Sequence, residues 1–177
     1  MDTITARSPR HRPQSMRRPA LRRVSIRPIE PSDADDLSDL YCSLSPESRR
    51  SRFLGLVSDE AIRAMARRLS DAPGLVAVVV ERGPRDGALV GHIALLPTAP
   101  GRAELAIVVS DALQGRGIGT RLVRAATDEA RRSGLRRLVA STFTDNTRMR
   151  RLLVHAGWPM ERDVIDGCVE EIELVGG

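Results

Sequence analysis

Seven consecutive residues, Gln114-Gly115-Arg116-Gly117-Ile118-Gly119-Thr120, carry the clearest chemical signal in this chain. Glycines let a backbone approach a ligand closely and turn its N–H groups towards it. An apolar run, Leu105-Ala106-Ile107-Val108-Val109, precedes the motif, and a long helical pattern beginning near Gly117 follows it. Strand, glycine-rich turn and helix in that order make an anion site, because a helix N-terminus offers unpaired N–H donors and a partial positive charge. A phosphate or pyrophosphate suits such a site best. Two nucleotide motifs are excluded. A Walker loop ends in Gly-Lys-Ser/Thr, and the chain has no lysine. A dinucleotide fingerprint needs two residues between its second and third glycines and an early βαβ unit, whereas these glycines stand at 115, 117 and 119, late in the chain.

Other candidates are single residues. In the run Ala103-Glu104-Leu105-Ala106-Ile107-Val108-Val109, strand alternation puts Ala103, Leu105, Ile107 and Val109 on one face and Glu104, Ala106 and Val108 on the other. A glutamate in a strand expected to be covered on both faces is unusual, and displaced acids associate with functional sites. The competing reading is a solvated carboxylate paired with Arg102 or another arginine. Asn146 stands where a helix would begin, so capping is its ordinary job. His92, in the strand before, reads as structural; His155 reads as a helix-end contact. Tyr41 is the chain's one tyrosine and falls on an apolar helical stripe. Neither Cys42 and Cys168 nor the scattered histidines, His11 among them, have metal-ligand spacing.

The elements that must position these residues follow from periodicity. Val24 and Ile26 alternate with polar residues in a first strand. Pro31-Ser32-Asp33 opens a helix with Ser32 as the expected cap and Leu37, Leu40, Tyr41 and Leu44 inward. Ser45-Pro46-Glu47 starts a short helix. Ser58 caps a third, with Ile62, Met65 and Leu69 inward. Residues 75–80 read as a strand buried on both faces, 83–87 as a hairpin connection, 88–96 and 103–110 as the next strands, and 98–102 as a turn. A helix over 117–132 turns Leu122, Val123 and Ala126 inward and stops at Gly134. A strand over 137–143, a helix over 145–155 stopped by Gly157, and a strand pair over 164–175 complete the order. This is a mixed α/β sheet with helices on both faces.

Length and composition bound the rest. At 177 residues the chain is one domain plus a tail, with the domain over 22–177. Aromatics are only 2%, so the core must be aliphatic. The net charge of +5 is uneven: residues 1–27 hold eight arginines against the single acid Asp2, while the remainder holds 20 arginines against 22 acids. The basic character belongs to an Arg/Pro-rich tail over 1–20, expected to be disordered, and nucleic acid is an unexpected partner for the domain. The longest apolar run is too short to span a membrane, the N-terminus lacks a secretory pattern, and the cysteines fit a reducing cytosol; a cytoplasmic location is expected.

The glycine motif, of the form Gln-x-x-Gly-x-Gly, resembles the acetyl-CoA signature of the GCN5-related N-acetyltransferase (GNAT) superfamily, and the order of elements resembles its central, mostly antiparallel sheet flanked by helices. The segment Ser43-Leu44-Ser45-Pro46-Glu47-Ser48-Arg49-Arg50-Ser51-Arg52-Phe53, with Ala103-Glu104-Leu105-Ala106, is similar to the bacterial Pat-type protein lysine acetyltransferases. The resemblance implies acetyl-CoA as cosubstrate and no metal. Its pyrophosphate would lie on the N–H groups of residues 115–120, and its pantetheine arm would pair with the backbone of Ile107, Val108 and Val109 in a wedge between the fourth and fifth strands. Gln114 would close the turn or bond the ligand, Arg116 would reach a phosphate or lie in solvent, and Asn146 would contact the arm, cap its helix, or do both. Glu104 would be the general base for an attacking amine, as the matching glutamate is in the Pat branch. A tyrosine that often serves the family as general acid is replaced by Leu153, and the usual Phe after the helix-stopping glycine by Trp158. The expected activity is acetyl transfer to an amine, plausibly a protein lysine. Small-molecule amine acetylation and a catalytically silent acyl-CoA-binding module are the alternatives; no oligomeric state is implied.

Overall fold

The computed structural model describes residues 24–79 and 87–176. The tail, His11, Arg22 and most of the expected 83–87 connection lie outside them. Among the described residues, seven strands, β1 (Val24–Pro28), β2 (Gly74–Val79), β3 (Leu89–Ala99), β4 (Arg102–Val109), β5 (Arg137–Phe143), β6 (Met160–Asp166) and β7 (Val169–Val175), form one sheet in the order β1-β2-β3-β4-β5-β7-β6. Every neighbouring pair is antiparallel except β4 with β5. The mixed α/β, mostly antiparallel architecture matches the expectation.

Among the described residues, five helices cover the faces: α1 (Ala34–Cys42), α2 (Pro46–Phe53), α3 (Asp59–Ser70), α4 (Ile118–Arg132) and α5 (Thr147–Leu153). The stripes read from periodicity are the buried ones, except in α3, where Ala66 is buried and the expected Met65 is only partly so. Leu37, Leu40, Tyr41 and Leu44 of the α1 region meet Ile62, Ala66 and Leu69 of α3 on one side of the sheet, with Ala94 and Val108. Leu122, Val123 and Ala126 of α4 and Leu153 of α5 pack on the other side against Ile93, Leu105, Leu138 and Ile172. Burying aliphatic surface on both faces supplies the main drive for folding.

Boundaries differ in instructive places. Ser32 is not a helix cap: it sits inside a 3-10 turn, Pro31–Asp33, whose capping box joins Glu30 and Asp33. Asp33 is engaged there because Arg27 of β1 donates to both its oxygens, at 2.7 and 2.6 Å. Strand β3 runs on to Ala99, shortening the expected turn, and the last strand pair begins at Met160. Asn146 caps α5, which gives way to a 3-10 turn at Val154–Ala156.

One departure from regular pairing shapes the site. Strand β4 pairs with β3 along its length. With β5 it pairs only at Arg102↔Arg137, Ala103↔Leu138 and Glu104↔Val139. Strand β5 is committed to β7 throughout. Beyond Glu104 and Val139 the two central strands part.

Candidate active site

The parting of β4 and β5 opens a cleft of about 780 Å³. Residues 104–109 line one side of it. Ser48 and Arg52 of α2, the glycine turn, and Asn146, Met149 and Leu152 around α5 form the rest. All the expected site residues line this cleft except Arg116, which stands on the turn outside the lining.

The glycines do two different jobs. Gly115 and Gly117 have φ of +71° and +80°, where a side chain is strained even though a Cβ would meet open space. Gly117 is the N-cap of α4 and has no side chain to cap with, and the first helical bond runs from Arg121 N–H to Gly117 O. The N–H groups of Ile118, Gly119 and Thr120 therefore end the helix without intrahelical partners. Gly119 is needed for closeness: a Cβ there would lie 3.3 Å from Leu152 Cδ1 and 3.8 Å from Val109 Cγ2.

Gln114 closes the turn. Its Nε2 lies within donating distance of Val109 O (3.0 Å), Asp111 Oδ1 (3.1 Å) and Ser48 Oγ (3.3 Å), and its Oε1 accepts from Arg148. Asn146 is likewise engaged in structure. Its Oδ1 accepts from Met149 N–H at 3.0 Å, capping α5, and its Nδ2 donates to Thr142 Oγ1 at 3.0 Å. It lines the cleft as it does so.

Glu104 requires a correction. The face assigned to it is right, because its β3 partner is Leu96, two residues beyond the buried Ala94 on the α1 side. The expected burial is wrong: Glu104 is exposed. Helices α1 and α3 cover the Ala94 and Val108 end of this face and leave the Glu104 end open. The carboxylate thus stands at the last β4–β5 pair, at the mouth of the wedge.

The remaining candidates separate cleanly. Leu153 is fully buried. Tyr41 is fully buried too, with its hydroxyl 2.7 Å from His92 Nδ1 and accepting from Arg52 Nη2 at 3.2 Å. Burial, reinforced by the Arg52 charge, drops His92 to about 3, so it stays neutral. Neither Tyr41 nor His92 lines the cleft, whereas exposed His155 does. Among the described residues no His/Cys/Asp/Glu group could hold a metal, and no helix is long and apolar enough to cross a membrane.

Sequence reasoning missed Asp111, in a 3-10 turn between β4 and the glycines. It accepts from Ser45 N–H at 2.8 Å, from the Ser45 hydroxyl at 3.3 Å and from the Ser48 hydroxyl. Partial loss of water pushes its carboxyl up, but these donors and the Arg148 charge more than offset that and hold it below the ordinary carboxylate range. No local pattern marks its role, because the serines it binds are 63 and 66 residues away.

The arrangement fits a long ligand with an anionic group and an amide-bearing arm. Left-handed glycines and free helix N–H groups meet the anion, and the β4 edge beyond Glu104 offers backbone donors and acceptors that β5 does not take up. Comparison with known proteins agrees. Residues 35–158 match the model of the Acetyltransferase (GNAT) family. Acetyltransferase PA5475 of Pseudomonas aeruginosa is 32% identical over 150 residues, 82% of this chain and 80% of that protein. Acetyltransferase Pat of Mycolicibacterium smegmatis is 30% identical over 158 residues, which are 84% of this chain but 45% of that longer protein. Among solved structures, the GNAT domain of S. lividans PAT superposes with a TM-score of 0.70 at 27% identity, covering 86% of this chain and 90% of that one. On these grounds the chain belongs to the GNAT family, as an N-acetyltransferase whose acetyl donor is acetyl-CoA.

Proposed function

We propose that the chain acetylates lysine side chains of proteins, with Glu104 as general base. The observation that carries this reading is the position of Glu104: an exposed carboxylate lining the cleft at the pair where β4 and β5 separate. The resemblance of residues 43–53 and 103–106 to Pat-type enzymes, and the similarity to the Pat of M. smegmatis, support the protein-lysine part. The free thiols of Cys42 and Cys168 accord with a cytoplasmic location.

A lysine amine has a reference pKa of roughly 10.4 and attacks only when unprotonated. Glu104 takes its proton, directly or through water. The amine nitrogen then bonds the acetyl carbon as the carbon–sulfur bond breaks, and the sulfur leaves with the electron pair. The pyrophosphate would rest on the N–H groups of residues 115–120, and the β4 edge at Ile107, Val108 and Val109 would hold the arm. Leu153 supplies no acid, so the departing thiolate takes its proton from water, which its reference pKa of roughly 8.5 permits.

Glu104→Gln tests this. Because Glu104 is exposed, the variant should fold, and calorimetric titration should give an unchanged acetyl-CoA Kd. Thiol release with a lysine peptide should fall about 100-fold or more, the usual range for a lost general base. Unchanged turnover would remove Glu104 from the mechanism, and wild-type release with small amines alone would move the acceptor to that class.

A further inference from the structure

Helix α2 is held to the domain in an unusual way. None of its residues is fully buried, and its apolar contact is Phe53 in the last turn, packed edge-on against Tyr41. The helix forms one wall of the cleft that Glu104 also lines, through Ser48, Ser51 and Arg52. Its other attachments run through charged and polar side chains. Arg49 pairs with Asp59 at 2.6 Å, Arg50 stacks 3.9 Å over Phe143, and the helix start is bound to Asp111. Asp111 Oδ2 takes the Ser45 N–H, and Oδ1 takes the Ser45 and Ser48 hydroxyls. The same Oδ1 lies 3.1 Å from Gln114 Nε2, whose residue opens the glycine turn.

We propose that Asp111 is a positioning residue for acetyl transfer: its carboxylate ties the α2 wall to the glycine turn and so sets the approach of the acceptor to Glu104. Asp111 does not line the cleft and touches neither substrate, so its influence passes through Ser45 and Ser48. Asparagine is an incomplete replacement. With its oxygen on the Ser45 N–H, its NH₂ group can donate to the two hydroxyls but faces the Gln114 Nε2 donor, and the carboxylate charge is lost. Glycine-turn geometry survives the change, because Gln114 keeps Val109 O and Arg148.

This inference rests on the acceptor reading above, and two measurements on the full chain separate them. In steady-state assays with a lysine peptide, Asp111→Asn should raise the acceptor KM about tenfold, the equivalent of one to two lost hydrogen bonds. The acetyl-CoA Kd from calorimetry should change by less than about threefold, since the glycine turn keeps its own bonds. Ser48→Ala should move KM in the same direction, and Ser48→Thr, which keeps the hydroxyl, should restore it. Hydrogen exchange needs no turnover: amides of 47–53 should exchange faster in Asp111→Asn while those of β3 stay unchanged. That result decides the anchoring even if no peptide is acetylated. The proposal is overturned if α2 exchange and acceptor KM are both unaltered, or if the acetyl-CoA Kd weakens as much as KM rises.

Discussion

Glu170 is the fully buried acid among the described residues, and replacing it with glutamine tests how α5 is held over the cleft. Its Oε1 accepts from Arg150 of α5 at 3.0 Å. Its Oε2 accepts from Nε and Nη2 of Arg162 on β6, at 3.0 and 2.5 Å. Burial pushes the carboxyl up, but the hydrogen bonds and charges of Arg162 and Arg150 more than offset it, and its pKa lies below the ordinary value. Breaking a buried pair by removing one partner costs about 3–5 kcal/mol when the other charge is stranded. Here the arginine side chains are 24% and 47% exposed and can rehydrate, so the cost should be smaller, about 2–3 kcal/mol. For a chain of this length that lowers Tm by about 4–12 °C.

Two further readouts follow from the same geometry. Arg150 also donates to Thr144 O at 2.6 Å, and Glu170 lies opposite Thr142, which receives the Asn146 amide. Glu170→Gln should therefore loosen the start of α5 and weaken acetyl-CoA about threefold or more, the loss of part of one hydrogen bond. Because the folded-state pKa is depressed, the clamp contributes fully above the unfolded value of roughly 4.3 and is lost as pH falls through the folded value. Denaturant melts of wild type, Glu170→Gln, Arg150→Met and the double variant give the coupling directly. A single-variant cost under about 0.5 kcal/mol, or additive effects in the double variant, would refute the clamp.

Two other outcomes are expected. Gly117→Ala places a side chain at φ +80°. It should cost about 1–2 kcal/mol and weaken acetyl-CoA in calorimetry, while Gly55→Ala, where a Cβ meets open space at ordinary φ, should do neither. His92 titrates near 3 when folded and near 6.5 when unfolded. The unfolded chain binds the extra proton between those values, so stability should fall by about 1.4 kcal/mol per pH unit as pH drops through that window. His92→Gln should flatten that slope, and a wild-type melt series flat from pH 6 to 4, the middle of this window, would refute the neutral-histidine assignment.

The parts of the site that were legible in the sequence are those made by local chemistry. Glycines at 115, 117 and 119 announce a turn and a helix start within a single stretch, and the stripes of α1, α3 and α4 repeat at helical spacing. Asn146 reads as a cap because capping involves neighbours. What stayed hidden depends on residues far apart in the chain. The burial of Glu104 was misjudged because alternation assigns a face but says nothing of how far a helix extends over it. Asp111 looked like any loop acid. Glu170 was closer to visible: Val169-Glu170-Glu171-Ile172-Glu173-Leu174 alternates, and Glu170 shares the buried face with Ile172 and Leu174. An acid in phase with two core residues needs a partner, and that phase is visible in the sequence.

The cleft follows from how the two central strands distribute their hydrogen bonds. Strand β4 gives one edge to β3 over its whole length, and β5 gives one edge to β7 over its whole length. They share only three pairs with each other. A parallel pairing carried to the strand ends would close the sheet and leave no cleft between them. The edge of β4 past Glu104 therefore retains donors and acceptors that a strand-like ligand can satisfy, which is the requirement of a pantetheine arm. The glycine turn follows directly at the end of that edge, so one continuous run of backbone, 104–120, presents a carboxylate, then a pairing edge, then an anion site. In the proposed function that order would set an amine, a thioester arm and a pyrophosphate along one line. Two side chains of the run tie it to its neighbours: Asp111 binds Ser45 and Ser48 at the start of α2, and Gln114 accepts from Arg148 of α5. Asn146 and Glu170 in turn hold α5 on β5 and β7, so polar links rather than aromatic packing join the walls of the cleft.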